Sequence, residues 1–414
     1  MSSDKDVKTK VLSLLEDSRP DKDVKTEVLT LDAGLLEGGG QVIRNCIGLS
    51  CLLNKPVKLL NARAKRKDPG LKPQHASGLK LMQDLYQAEL QGGNIGSQEI
   101  YFKPNGVNTS DTFIADTQTA GSITLLIQIS LPALLFSAPP PKKKLFLPPR
   151  SKKVILKGGT TVIASPPIDF LIEVFKPIVE REFGLHFDIN IVGRGYYPQG
   201  KGEVVLRVDP IVERTLKPLN LVDRGEITKV RGRVTIANKS KQIGKRMATA
   251  ASEVLTEAAL PELENIQFDI EINSEKINAG KGSEILLWAE TSTGCIISGN
   301  DISNKKETPE EVGKNAAEKF IRNIKHGGCV DEHLQDQLII FMALAESRSK
   351  LVSGPITLHT RTAIHFIETM SGAKFHIKKL DSSESLVNIQ DNSLDWDEGM
   401  YLIECEGIGL MVSK

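Results

Sequence analysis

The chain holds 414 residues, 40% of them hydrophobic and 25% charged, at a net charge of +1. This is the composition of an ordinary soluble globular protein, and the length exceeds one usual core, so two domains or one domain of repeated units is expected. Near-zero charge excludes capture of nucleic acid by a global field and leaves local clusters to bind anions. The five cysteines (Cys46, Cys51, Cys295, Cys329 and Cys405) are odd in number and scattered, with no CxxC pair or zinc spacing. They read as reduced core thiols of a cytosolic or nuclear protein.

The first residues are charged and contain no secretory apolar run, so export is not expected. They carry a duplication, in which Lys5-Asp-Val-Lys-Thr-Lys-Val-Leu returns as Lys22-Asp-Val-Lys-Thr-Glu-Val-Leu. The second copy flows into the first predicted strand, 28–32, and the first copy has nothing to pair with. Residues 1–27 therefore read as a loosely ordered tail that tolerates a duplication, with a partner-binding arm as the functional alternative.

Apolar strands then alternate with amphipathic helices. Helix 41–53, strand 57–61 and helix 74–90 come first, the last with Leu79, Met82, Tyr86 and Leu90 at helical spacing. Strands 100–102 and 112–116 precede an apolar helix from 121. Its core, 123–136, is short for a bilayer span and carries Thr124, Gln128, Ser130 and Pro132, so a buried helix and no membrane association are expected. The run from Pro139 to Lys144 and the stretch Pro148 to Lys153 are proline-rich and basic. A solvated turn and a nuclear-localisation or RNA-contacting loop explain them equally well. Strand 154–157, helix 168–183 and strand 186–192 follow. Residues 210–320 change character and form a compact α/β unit, with strands 228–237, 267–272 and 284–289 and helices 243–258 and 309–324. The remainder, 321–414, holds helices 333–347 and 363–370 and strands 356–358, 374–377 and 400–404. The fold class is α/β or α+β, with an insert splitting a larger domain of 28–209 and 321–414.

Local constellations carry possible chemistry. In Leu36-Glu37-Gly-Gly-Gly-Gln41, three glycines before a helix expose backbone N–H groups to a phosphate, and Arg44 lies one turn in. A carboxylate beside a phosphate site suits a bridging divalent cation, so Glu37 is a metal candidate; a tight turn with Glu37 as a cap is the structural alternative. Arg63, Lys65, Arg66, Lys67 and Lys72 crowd around Pro69-Gly70, a cationic edge fixed by a turn, where Arg63 and Arg66 can grip phosphate bidentately. From Asp331 to Leu338 acidic groups open a helix, and Asp336 and Gln337 lie amid apolar neighbours where polar groups need a partner, a nucleotide or backbone. His333 and His326 lack a metal spacing. His359 stands where the predicted strand 356–358 hands over to a helix beginning near Thr362, a rigid position facing a cleft that suits a nucleophile.

Five motifs in order resemble the RNA 3′-terminal phosphate cyclase family: Glu37-Gly-Gly-Gly-Gln-Val-Ile-Arg44, Pro69-Gly-Leu with Gln74-His75, Gly195-Tyr-Tyr-Pro-Gln-Gly, Leu334 to Ala345, and His359-Thr-Arg-Thr-Ala-Ile. The likeness runs from about Val28 to the C-terminus. It implies a large domain of three repeated βαβαββ units with a smaller α/β insert at 210–320. It also implies an AMP-forming ligase in which His359 takes AMP from ATP, with Mg²⁺ or Mn²⁺ at Glu37, and passes it to RNA with a 3′-terminal phosphate, which closes to a 2′,3′-cyclic phosphate. Gln128, Pro166, Phe170, His333, Asp336 and Gln337 are implied around adenosine, with Phe170 as a stacking ring. Arg44, Arg63, Arg66 and Gln74 are implied at triphosphate or the RNA end. Lys65 and Asp68 in the basic turn, Lys201 after Gly200 and Leu358 before the histidine depart from the family pattern.

Two other readings compete. A catalytically silent, cyclase-like RNA-binding protein of ribosome or RNA assembly would keep the fold without needing His359, Glu37, Arg44 and Asp336 together. An enzyme acting on a small phosphorylated metabolite is weaker, because the basic edge favours an RNA end. A nuclear location is expected from the basic segment and the RNA substrate, with the cytoplasm also allowed.

Overall fold

The architecture follows from three copies of one strand–helix pattern. The computed structural model describes residues 27–138, 150–212, 214–275, 280–380, 386–387 and 398–411. The duplicated tail and most of the basic proline-rich segment lie outside the described residues. The first copy comprises β1 (Leu29–Asp32), α1 (Gly40–Leu53), β2 (Val57–Leu60), α2 (Pro73–Tyr86), β3 (Glu89–Gln91) and β4 (Ile100–Lys103). The second comprises β5 (Thr112–Asp116), α3 (Ile123–Leu135), β6 (Lys152–Gly158), the helix α4 that opens at Ile168–Phe170, β7 (Phe187–Gly193) and β8 (Gly202–Val208). After β9 (Asn220–Leu221) comes the insert, containing β10 (Ile227–Ala237), α5 (Lys241–Glu257), β11 (Phe268–Glu275), β12 (Gly282–Thr291), β13 (Ile296–Ile302) and α6 (Pro309–Lys325). The third copy then resumes with α7 (Glu332–Leu344), β14 (Arg348–Ser353), α8 (Leu358–Ser371), β15 (Lys374–Lys379), the short β16 (Leu386–Val387) and β17 (Tyr401–Glu406).

The sheets of the three repeats share one pairing rule. In each, the first strand runs parallel to the second (Leu29 opposite Val57, Thr112 opposite Lys153, Asn220 opposite Lys350). The second strand then pairs antiparallel with the last, giving the orders β1-β2-β4-β3, β5-β6-β8-β7 and β9-β14-β17-β15, the third continued by β16. A parallel pair needs a helical crossover, which α1, α3 and α7 supply. Strict alternation sets the faces: in β5, Phe113 and Ala115 are buried while Thr112, Ile114 and Asp116 face outward. Helix α3 is apolar on every side because it is enclosed by α1, α2, β6 and β8. Among the described residues, no helix is long and apolar enough to cross a membrane.

The insert has a core of its own, in which Val234, Ile236, Met247, Leu287 and Phe320 are fully buried. It enters after Leu221 and leaves before Glu332, whereas the sequence places its edges at 210 and 320. Strand β9 has two residues, too short to show a period in the sequence, so the compositional shift at 210 marks the edge too early. Two further differences have local causes. Helix α2 ends at Tyr86 because Gln87 is left-handed (φ 47°), which puts Leu90 in β3 rather than on the helix. The expected strand 356–358 is absent, because Thr357 caps α8, accepting from the Thr360 backbone N–H at 3.1 Å, and the helix begins at Leu358.

A buried ionic network fastens the insert to the large body. Arg194 forks onto Asp169 at 2.6 and 2.9 Å and reaches Glu284 of β12 at 3.3 Å and Glu275 of β11 at 2.7 Å. Tyr196 and Thr161 also donate to Glu284, at 3.2 and 2.7 Å. Burial and the neighbouring Asp169 push the Glu284 carboxyl up to about 7, against the pull of Arg194. Asp169, Arg194 and Glu284 are at most 5% exposed, so removing the cation strands carboxylates in the interior. Arg194→Met is therefore expected to cost about 3–5 kcal/mol, read as a lowered urea midpoint; an unchanged midpoint would show that the network does not hold the insert.

Candidate active site

The loop between β1 and α1 builds the first wall. Leu36 and Gly38 both have left-handed backbone (φ 54° and 58°), which folds the Glu37 carboxylate back over the glycines. A Cβ on Gly39 would lie 2.3 Å from Glu37 Oε1, and one on Gly40 2.3 Å from His75 Nε2, so the triglycine exists to seat these two side chains. No side chain caps α1, which leaves the positive end of that helix beside the site.

Glu37 joins the first repeat to the third. Its Oε1 accepts from Arg66 Nη2, its Oε2 lies 3.1 Å from His359 Nδ1, and its backbone N–H donates to Thr362 Oγ1 at 3.3 Å. Burial raises the Glu37 carboxyl, but the His359 hydrogen bond and the charges of His359, Arg66 and Arg44 hold it below the usual carboxylate range. His359 is raised, chiefly by the Glu37 hydrogen bond and further by Asp336, against burial and Arg44. Because α8 begins at Leu358, His359 stands in its first turn, with the side chain 56% exposed while Glu37 is only 12% exposed. The imidazole is thus anchored through Nδ1, with more than half of its side-chain surface exposed.

Asp336 and Arg44 complete the charged floor. Gln41 Nε2 donates to Asp336 Oδ2. Burial raises Asp336, opposed by His359, Arg44 and His333, and burial pulls Arg44 down to about 10, opposed by Asp336 and Glu37. His75 Nδ1 accepts from the Lys72 N–H at 3.0 Å; burial and the cations Arg44, Arg63 and Lys72 drive its pKa down to about 3, so it stays neutral.

The remaining expected site residues fall nearby with different duties. Gln128, Gln337, Gln41, Arg44 and Asp336 line one cavity of about 30 Å³, room for about one water. Gln41 Oε1 and Gln337 Oε1 are buried without a hydrogen-bond partner, while Gln337 Nε2 donates to the His333 carbonyl at 2.7 Å. Phe170 is fully buried and meets the His333 ring edge-on, with centroids 6.0 Å apart. The Pro166 carbonyl accepts from Thr124 Oγ1 at 2.8 Å, and Gln74 Oε1 accepts from the Ser122 N–H at 3.0 Å. Arg63, at φ 57°, donates from Nε to the Gly70 carbonyl at 2.9 Å, bracing its own turn. Among the departures, Asp68 pairs with Lys72 at 3.1 Å on the exposed turn, and Lys201 takes a left-handed φ of 57°.

Residues 35–377 match the family model for RNA 3′-terminal phosphate cyclase. The chain belongs to the RNA 3′-terminal phosphate cyclase family. It is 36% identical over 388 residues to a probable RNA 3′-terminal phosphate cyclase of Dictyostelium discoideum, covering 92% of this chain and 83% of the relative. It is 35% identical over 379 residues to an RNA 3′-terminal phosphate cyclase of Pyrobaculum aerophilum (92% and 98%), and 33% identical over 364 residues to that of Drosophila melanogaster (86% and 95%). In the cyclase fold seen here, α1 of the first repeat and α7 and α8 of the third bring Arg44, Asp336 and His359 together.

Sequence reasoning missed Gln335, although it stands inside the Leu334–Ala345 motif of the cyclase likeness. Its amide is 1% exposed: Nε2 donates to Ser353 Oγ and to the Pro355 carbonyl at 2.9 Å, and Oε1 accepts from Thr357 N at 3.0 Å and Thr360 Oγ1 at 2.5 Å. Gln335 thereby clamps α7 to the first turn of α8. A glutamine on the buried face of an apolar helix is the signal that could have found it.

Two outcomes are expected. Glu37→Gln removes the charge and acceptor that raise His359, so an NMR titration of its imidazole should shift to lower pH; an unmoved midpoint would separate the two residues. In the parent protein this pairing stabilises the fold fully below the ordinary histidine pKa of about 6.5, and the contribution is lost as pH rises through the higher folded-state value. Gln335→Leu leaves four polar partners unmatched and should cost about 2–4 kcal/mol by urea unfolding, whereas a cost under about 0.5 kcal/mol would dismiss the clamp.

Proposed function

We propose that this chain is an ATP-dependent RNA 3′-terminal phosphate cyclase working through a covalent histidine–AMP. The observation that carries the reading is the exposed His359 held through Nδ1 by buried Glu37, 3.1 Å away. A neutral imidazole whose Nδ1–H is committed to a carboxylate keeps its Nε2 lone pair for attack. Nε2 would bond to the α-phosphorus of ATP and pyrophosphate would leave. The RNA 3′-phosphate oxygen would then take AMP from the histidine, and the adjacent 2′-hydroxyl would displace AMP to close the 2′,3′-cyclic phosphate.

The chain's residues serve positioning and charge neutralisation, the main requirements of phosphoryl transfer. Arg44 and Arg66 set positive charge beside His359. The orphan oxygens of Gln41 and Gln337 are acceptors suited to a nucleoside amino group, in a cavity they share with Gln128; Pro166, Phe170 and His333 lie outside its lining and would meet the nucleoside only once it opens. The cavity there is smaller than a purine, so adenosine binding requires its side chains to part. Among the described residues no group of three or more metal-ligating side chains exists. Glu37 as a single carboxylate fits Mg²⁺ or Mn²⁺ carried in by a triphosphate, since such ions take most ligands from water and phosphate. When bound there, the ion would neutralise charge on the departing pyrophosphate. Arg63 and Gln74 border the same edge and would meet the RNA end. Nuclear residence belongs to the same proposal, on the strength of the basic segment. The silent-scaffold reading does not account for a buried carboxylate spent on orienting an exposed histidine.

The test is incubation with α-labelled ATP and Mg²⁺ or Mn²⁺, followed by denaturing electrophoresis. An acid-labile AMP adduct that a 3′-phosphorylated RNA discharges is expected, and His359→Ala should lose it while remaining folded. Labelling should rise with pH as His359 loses its proton, and Glu37→Gln should move that rise to lower pH. Labelling retained in His359→Ala would place the nucleophile elsewhere.

A further inference from the structure

Outside the site, a groove of about 600 Å³ runs between α2 and the outer face of β5. That is the size of a ligand cleft, far roomier than the cavity beside Asp336. Two sets of contacts tie it to the active site. Its loop wall, 92–96, backs onto the basic turn: the Gly96 N–H donates to the Leu71 carbonyl at 2.9 Å, and a Cβ on Gly70 would lie 2.2 Å from Gly96 O. Its inner end, at Thr117, abuts Gln74, because a Cβ on Gly121 would lie 2.9 Å from Thr117 Cβ and 3.1 Å from Gln74 Cβ.

We infer that this groove holds the single-stranded RNA segment immediately 5′ of the terminal phosphate; the inference rests on the RNA reading of the site. Lys80 is exposed on the α2 side, with no ion pair among the described residues, and suits a backbone phosphate. The carboxylate of Asp116 is turned onto the Gln118 N–H at 2.7 Å. The amides of Gln83, Asn94 and Gln118 offer paired donors and acceptors to base edges. Ile95 and Ile114, 65% and 59% exposed, give apolar surface against which a base can pack. Single strands are read by edge hydrogen bonds and face contacts together with basic groups along the backbone, here Lys80 and the adjoining basic turn. A strand whose last phosphate meets the basic turn passes next along a groove walled by that same turn.

The test compares binding of a 3′-phosphorylated ten-nucleotide RNA and a 3′-phosphorylated dinucleotide by fluorescence anisotropy, on the full chain and on Lys80→Glu and Ile114→Asp. Both positions are exposed, and circular dichroism checks folding. Each variant should bind the longer RNA about five- to tenfold more weakly and the dinucleotide nearly unchanged, with ATP self-labelling at the parental level. Unchanged affinity for the longer RNA in both variants overturns the inference, as does equal loss for both lengths. Loss of a protein partner with RNA binding intact also overturns it and gives the groove to a protein. Failure of the parent protein to label with ATP, alongside groove-dependent RNA binding, would sink the cyclase mechanism and leave the groove standing.

Discussion

The carboxylate of Glu37 is shared by two groups drawn from distant parts of the chain, the Arg66 guanidinium of the first repeat and the His359 imidazole of the third. A carboxylate so little exposed needs both charge and hydrogen bonds to remain ionised. Arg66 donates to one oxygen, and the imidazole Nδ1 stands 3.1 Å from the other as a charge-pair contact without hydrogen-bond alignment. The sharing fixes the Nδ1 edge of the histidine against Glu37. It also sets the approach of two helices, since the Glu37 backbone itself donates to Thr362 in α8. The glycines around Glu37, the lowered pKa of its carboxyl and the raised pKa of His359 all follow from keeping that group in place.

The threefold pattern explains why such a junction can exist. Each repeat crosses from its first strand to its second through a helix, and in the first and third repeats the starts of those helices lie at one seam. The first repeat gives Glu37 and Arg44, the second lends Gln128, Pro166 and Phe170, and the third supplies Asp336 and His359. The insert occupies the first strand-to-helix connection of the third repeat, the position that the glycine turn occupies in the first. Asp331, which caps α7, accepts from Ser298 N–H and Oγ of β13 at 3.0 and 2.6 Å. The insert therefore touches the helix that carries Asp336, and the Arg194 network fastens its other side beside Phe170.

Much of this was legible because local chemistry leaves a local mark. The strand–helix order follows from hydrophobic period, and the glycine turn, the basic turn and the histidine segment could each be singled out from residue types at short spacing. Strand β3 is hidden where the helical period of α2 runs on through Leu90, and β8, β13 and β14, six or seven residues long, are absent from the sequence reading without a length to explain it. The start of α8 was misplaced because Thr357 acts through a cap rather than an apolar pattern. Gln335 was invisible for a related reason: its four partners come from Ser353 to Thr360, and only the packed structure shows them converging on one buried amide.

The sequence by itself determined the composition class, the alternating elements, the existence of a separate α/β insert and the family whose motifs it carries. Each of these depends on residues within a turn or two of one another. Tertiary structure alone decided that Glu37 grips His359 and Arg66, that Phe170 lies beneath His333 instead of facing outward, and that Arg63 braces its own turn. The first two are pairings across tens to hundreds of residues, and the third spans seven through a left-handed turn. They depend on how sheets and helices stack, and a buried polar group takes whichever partner that stacking brings within reach.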